Sequence, residues 1–145
     1  MKRILIIIAI IFAVAGGIYF IGNGSGGENS ETTNEQIAKP TYQKIAPAKA
    51  KEIMDGEEEF VLLDVRSDSE FEDLHILGAT LIPENEIGER AETELPDKNA
   101  TILVYCRSGG RSARAAQTLV DMGYKNIYDI GGIIDWPYDV VGERE

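Results

Sequence analysis

Past residue 40, unbroken apolar runs and one-faced amphipathic stretches take turns along the chain. Residues 60–65 (FVLLDV) and 101–105 (TILVY) are near-continuous apolar runs hemmed by polar residues, the pattern of strands buried on both faces. Residues 42–45 (YQKI), 79–83 (ATLIP) and 126–130 (NIYDI) are shorter strand candidates, and Gly131-Gly132 turns the last one away. Helical patterns fill the gaps. Pro47 suits a first helical position ahead of residues 48–54 (AKAKEIM), with Gly56 near the stop. Ser67 and Glu70 have capping-box spacing for a short helix through about Asp73. Ile87, Ala91 and Leu95 share one helical face, and Pro96 ends that segment. Residues 112–122 set Ala116, Leu119 and Val120 on one face before Gly123.

Strand and helix in alternation predict an α/β domain: a mostly parallel sheet covered by helices on both faces and joined by right-handed crossovers. Ligands of such sheets bind beyond the carboxyl ends of the strands. Cys106, the single cysteine, stands directly after the second buried run and before a helix. That is the expected address of a site.

The N-terminus follows other rules. Met1, Lys2 and Arg3 precede eighteen uncharged residues, Ile4 to Ile21. As a helix at 1.5 Å per residue the run reaches roughly 27 Å, near the hydrocarbon thickness of a bilayer. Ala13-Val14-Ala15 before Gly16 reads as a signal-cleavage site. Continuation through Ile18, Tyr19, Phe20 and Ile21 reads instead as an uncleaved anchor, which is the first expectation. No base follows until Lys39, so Lys2 and Arg3 place the remainder outside the cytoplasm. Cleavage would leave a secreted or periplasmic protein. Residues 22–40 have the Gly/Ser/Thr/Asn/Glu composition of a flexible linker. The expected organisation is a hydrophobic segment at 1–21, a linker at 22–40 and one domain at 41–145, long enough for a single core.

Composition then narrows the chemistry. The 145 residues carry a formal charge of −11 at pH 7; without Lys2 and Arg3, 12 bases face 25 acids, a net of −13. A nucleic-acid binder would show the opposite sign. One cysteine forbids an internal disulfide and a C-x-x-C pair. One histidine and one cysteine are too few soft ligands for zinc or an iron–sulfur cluster. No cofactor is expected.

The residues after Cys106 are Arg107, Ser108, Gly109, Gly110, Arg111 and Ser112. Cysteine reacts as the thiolate, and cations and helix N-termini lower its pKa. Gly109 and Gly110 permit the positive φ angles that let backbone N–H groups converge into an anion nest. The helix starting near Ser112 points its positive end at the same place, and Arg111 adds a planar donor fork. Arg107 and Arg114 attract an anionic substrate against the overall negative field. The competing reading is a small apolar Cys closing a core strand, beside arginines that coat a helix. It accounts for the thiol but not for the order strand, Cys, double Gly, Arg, helix.

At these residues the chain resembles a family. CRSGGRS is similar to the active-site loop of the rhodanese-like sulfurtransferases. LLDVRSDSEFEDLHILGATLIP is similar to that family's D-V-R…E-(F/Y)…G-H-I-x-G-A-x-N-(I/V)-P segment, and GYKNIYDIGGIIDW to its closing G-(F/Y)…L-x-G-G-x-x-x-W. The resemblance runs from Tyr42 to about Val141. Leu74 departs from the usual Gly before His75, and Leu81 from the usual Asn. The resemblance implies a three-layer α/β/α domain and a ping-pong sulfurtransferase of the thiosulfate:cyanide type. Cys106 would take a sulfane sulfur from a thiosulfate-like anion and pass it to a thiophilic acceptor. The N–H groups of Arg107 through Ser112 would hold the persulfide, with Arg111 closing the cradle.

Two alternatives stay open. One is a persulfide-carrying or partner-binding module that does not turn over alone. The other is a cysteine phosphatase or arsenate reductase, although such enzymes use C-x-x-x-x-x-R and here four residues separate Cys106 from Arg111. Asp64 and Arg66 are expected as an ion pair or brace supporting the loop, His75 as a structural histidine and Trp136 as a packing anchor.

Overall fold

Because FVLLD and TILVYC are apolar at successive positions, both of their faces need cover, and each sits inside a sheet with helices above and below. The computed structural model describes residues 41–142. The strands are β1 (Gln43–Lys44), β2 (Phe60–Asp64), β3 (Thr80–Leu81), β4 (Thr101–Cys106) and β5 (Asn126–Gly132). They form one parallel sheet in the order β1-β5-β4-β2-β3. Between them run α1 (Pro47–Met54), α2 (Asp68–Asp73), α3 (Ile87–Glu94) and α4 (Gly110–Asp121), with short 3₁₀ turns at Glu84–Glu86 and Ile133–Asp135.

Alternate side chains of one strand point to opposite faces, and the two core layers divide accordingly. Leu63, Val65, Ile102, Val104 and Cys106 pack with Ile87 and Ala91 of α3 and with Ala115, Ala116 and Leu119 of α4. Leu62, Leu103, Tyr105 and Ile130 pack on the other side with Ala50 of α1, backed by Trp136. Each fully buried Leu, Ile or Val is stabilising by up to about 1.5–3 kcal/mol relative to leaving it in water. The α/β architecture expected from the alternating pattern is the one observed.

Four local expectations are corrected. Cys106 is the last residue of β4 rather than the first of the loop, because its pairing continues to Gly132. Gly131-Gly132 do not turn β5 away. Val104 pairs with Asp129 but Tyr105 with Gly131, so the ladder passes Ile130 by a bulge and resumes. The helix after the loop begins at Gly110, two residues before the expected Ser112. Gly109 alone of the two loop glycines has a positive φ, at 96°. The hydrophobic segment expected at 1–21 and the linker at 22–40 lie outside the described residues. Among the described residues no helix is long and apolar enough to cross a membrane.

The capping box forms as its spacing demands. The Ser67 hydroxyl accepts from the Glu70 N–H at 3.3 Å, and the Glu70 carboxylate accepts from the Ser67 N–H at 3.2 Å. This fixes Glu70 at the start of α2, beside the carboxyl ends of the central strands.

Candidate active site

Cys106 closes β4 and is 1% exposed, in the core layer shared with α3 and α4. The chain then loops through Arg107, Ser108 and Gly109 into the N-terminus of α4. Gly109 has a left-handed backbone that favours glycine, and it aims its N–H at Sγ from 3.1 Å. Gly132 is required for a different reason. A Cβ there would stand 2.4 Å from the Arg107 carbonyl oxygen and 2.6 Å from Ser108 Cα. The loop and the end of β5 can touch only because that side chain is missing.

Burial pushes the Cys106 thiol up, but the backbone N–H and hydroxyl of Ser112 and the N–H groups of Ser108 and Gly109 outweigh it. The thiol is held below its ordinary value. The loop therefore stabilises negative charge chiefly through backbone dipoles.

Two of the three arginines near the thiol are held by acids. Arg111 does not direct its fork at the sulfur. It holds Glu70 at two points, Nη1 to Oε2 at 2.7 Å and Nη2 to Oε1 at 2.8 Å, and pulls the Glu70 carboxyl down to about 2. Arg114 holds Glu84 in the same manner at 2.9 and 3.2 Å. Arg107 is exposed and lines a cleft of about 500 Å³ with Arg66, Glu70, Leu74 and Ile134.

Asp64 and Arg66 form a buried ion pair at the end of β2. Arg66 Nε donates to both carboxylate oxygens at 3.0 Å, and Nη2 donates to Oδ2 and to the Leu74 carbonyl, each at 2.6 Å. The pair braces the wall of that cleft. Leu74 is extended, with φ −166°, a conformation any residue adopts, so the departure from Gly costs the turn nothing. His75 donates from Nδ1 to the Phe71 carbonyl at 2.8 Å and stacks on the Phe71 ring at 3.9 Å. Its backbone pairs with Val141. It is a structural histidine. Trp136 packs with the α1-side core and edge-on against Tyr138.

Two residues of the site were not singled out from sequence as site residues. Glu70 was legible only as a cap, though an acid at that spot also answers the question of what neutralises Arg111. Asp129 accepts from the Ser112 hydroxyl at 2.6 Å. Its only signal was a carboxylate inside an otherwise apolar strand. Among the described residues no group of three His, Cys, Asp or Glu side chains is placed to hold a metal ion.

Known proteins resemble this chain in sequence and in fold. The chain is 41% identical over 73 residues to the thiosulfate sulfurtransferase PspE of Escherichia coli, spanning 50% of this chain and 70% of that protein. It is 34% identical over 96 residues to the thiosulfate sulfurtransferase GlpE of Coxiella burnetii, spanning 66% and 87%. A putative sulfur carrier protein of Bacillus subtilis, YrkF, is 35% identical over 112 residues; the match covers 77% of this chain and 57% of that protein. Among solved structures, the rhodanese-like domain of the Anabaena sp. Alr3790 protein superposes with a TM-score of 0.66 at 27% identity, covering 72% of this chain and 82% of that one. A rhodanese from Escherichia coli, solved with anions, gives 0.56 at 36% identity, covering 59% and 100%. The sequence pattern of the rhodanese-like domain matches residues 46–137. With the pattern spanning well over half of its length, the chain belongs to the rhodanese-like domain family.

Proposed function

We propose that this domain moves a sulfane sulfur from thiosulfate or a similar anionic donor to a thiophilic acceptor through a persulfide on Cys106. The observation that carries the reading is the Gly109 N–H aimed at Sγ from 3.1 Å, at the mouth of a loop that lowers the thiol's proton affinity. The thiolate attacks the outer sulfur of thiosulfate, the donor's S–S bond breaks, and sulfite leaves with the electron pair. The negative charge then sits on the persulfide's terminal sulfur, within reach of the loop N–H groups of Arg107 through Ser112. Cyanide or another thiophile attacks that sulfur, the second S–S bond breaks, and the Cys106 thiolate returns. This is nucleophilic catalysis by an activated cysteine. Thiosulfate sulfurtransferases at 34–41% identity support it.

The test is intact-mass measurement on the domain after thiosulfate and then after cyanide. One added sulfur atom that appears in the first step and disappears in the second is the expected result. Absence of the adduct in wild type, or its presence in Cys106→Ser, sinks the mechanism.

A second reading, persulfide carriage for a partner protein, is favoured by the likeness to a putative sulfur carrier. It predicts the first mass shift without turnover against cyanide. The N-terminal segment at 1–21 is proposed as an anchor that holds the domain outside the cytoplasm, on the strength of Lys2, Arg3 and the apolar run alone. A reporter fused after Glu145 that is active only inside the cytoplasm would reverse that orientation. Recovery of a product starting at Gly16 would favour signal cleavage.

A further inference from the structure

One buried group takes no part in the steps above. Asp129 on β5 is 1% exposed, forms no ion pair among the described residues, and its Oδ2 has no hydrogen-bond partner there. Its Oδ1 accepts from the Gly131 N–H at 3.0 Å and faces the Ser112 hydroxyl at 2.6 Å. Ser112 is wholly buried, and its Oγ lies 3.7 Å from Cys106 Sγ, placed to accept the thiol hydrogen. The hydroxyl has one hydrogen. The carbonyls of Gly109 at 3.0 Å and Gly131 at 3.4 Å also lie near it, but the carboxylate offers the shortest and strongest contact. A carboxylate buried without a cation is costly. The Gly131 N–H and the Ser112 hydroxyl satisfy Oδ1 alone and leave the second carboxylate oxygen without a partner among the described residues.

We propose that Asp129 is a positioning residue that takes the Cys106 proton through Ser112. The Sγ–H bond breaks as an Oγ–H bond forms on Ser112, and the hydroxyl's own proton passes to Asp129 Oδ1. Negative charge moves from carboxylate to sulfur, and nothing is oxidised or reduced. The buried cluster keeps a single negative charge throughout, so a thiolate forms without a second anion in the core. The Ser112 hydroxyl then donates to the sulfur. The inference rests on the proposed function for the use made of the thiolate, and its test reads the thiolate alone.

The other charged groups near this relay are accounted for. Arg111 and Arg114 on α4 sense the Cys106 charge. They are paired with Glu70 on α2, which titrates at about 2, and with Glu84 in the turn before α3, which is held below its usual range. Arg107 follows Cys106, and Asp64 and Arg66 neutralise one another at the end of β2. Lys44 on β1 stands in register with Asp129, and Asp135 lies beyond the end of β5. None of these is hydrogen-bonded to the Asp129 carboxylate among the described residues.

The experiment is the rate of Cys106 alkylation by iodoacetamide in the full chain from about pH 4 to about pH 9, which spans the carboxylate and thiol ranges. A thiol and a carboxylate sharing one proton titrate as a pair. Wild type should therefore show an acid shoulder, a level rate below the main step. Asp129→Asn keeps the shape but takes no proton, and should lower the shoulder by about tenfold or more, the equivalent of one pKa unit. Ser112→Ala should do the same, and the double variant should lose no more than either single one. Infrared spectra of wild type at the pH of the shoulder should show a protonated-carboxyl band together with thiolate absorbance, the band disappearing through the main step, and this reading does not depend on whether the variants fold. A wild-type profile with one step and no shoulder overturns the relay, as does an undiminished shoulder in Asp129→Asn. Because no sulfur is transferred in the assay, its outcome is separate from that of the mass experiment.

Discussion

Arg111 and Glu70 meet fork to fork, with N···O distances of 2.7 and 2.8 Å, across 41 residues of sequence. The cation expected to face the sulfur instead ties the start of α4 to the start of α2. The pair is about a third exposed, so its direct contribution to stability is at most about 1 kcal/mol. The folded Glu70 carboxyl titrates at about 2, against about 4.3 for a free glutamate. A depressed carboxyl stabilises the fold fully above its unfolded pKa and loses that contribution as pH falls through the folded one. Urea midpoints of wild type and Glu70→Gln should therefore differ at pH 7 and converge between about pH 5 and pH 2. A constant gap across that range would mean the pair is not the cause.

The thiol should react as an acid stronger than free cysteine. Its main alkylation step is expected below the ~8.5 of an unperturbed thiol. Gly109→Ala, which strains the backbone that aims the N–H at sulfur, should raise that midpoint. Arg111→Ala should raise it less, since the arginine acts from a distance with its fork engaged elsewhere. A larger shift from Arg111→Ala than from Gly109→Ala would reverse this ordering of causes.

Gly132→Ala probes the contact between loop and sheet. The new methyl meets backbone, not a flexible side-chain end, so the loop must move. Destabilisation of about 1–3 kcal/mol is expected, together with slower persulfide formation. Full activity in this variant would show that the loop tolerates displacement.

Arg66→Met should be among the most damaging single changes outside the loop. It leaves Asp64, which is 0% exposed, as an uncompensated charge, at a cost of about 3–5 kcal/mol. Changing Asp64 to Leu in the same protein should recover a substantial part of that loss. Thermal unfolding of the two variants decides it, and no recovery in the double variant would locate the damage elsewhere.

Loop length separates the enzyme readings. With four residues between Cys106 and Arg111, the ring of N–H donors should accept one added sulfur atom more readily than a tetrahedral oxyanion. Thiocyanate formation should exceed aryl phosphate hydrolysis by orders of magnitude. One Gly inserted between Gly109 and Gly110 should depress sulfur transfer. Faster phosphate hydrolysis than thiocyanate formation in wild type would overturn the assignment.

The readable parts of the fold were those governed by local rules. FVLLD and TILVYC announced central strands because burial on both faces leaves no polar alternation. Ser67 and Glu70 announced a helix start because the box is satisfied within four residues. The errors came where long-range pairing decides. Gly131-Gly132 look like a turn on their own, yet β4 keeps them in the ladder through Cys106. Arg111 looks like a substrate fork on its own, yet α2 supplies Glu70. Asp129 could be seen as a misplaced charge, but only the approach of α4 to β5 gives it Ser112 as a neighbour.

The two outermost strands, β1 and β3, are each two residues long, and one of them carries Lys44. Open strand edges are the usual templates on which sheets from separate molecules join into fibrils, and short or charged edges blunt that tendency. Here the stubs flank the longer strands, β1 pairing with two residues of β5 and β3 with two residues of β2. Short outer strands, a lysine on one of them and the chain's net negative charge therefore all weigh against edge-to-edge stacking of one molecule on another.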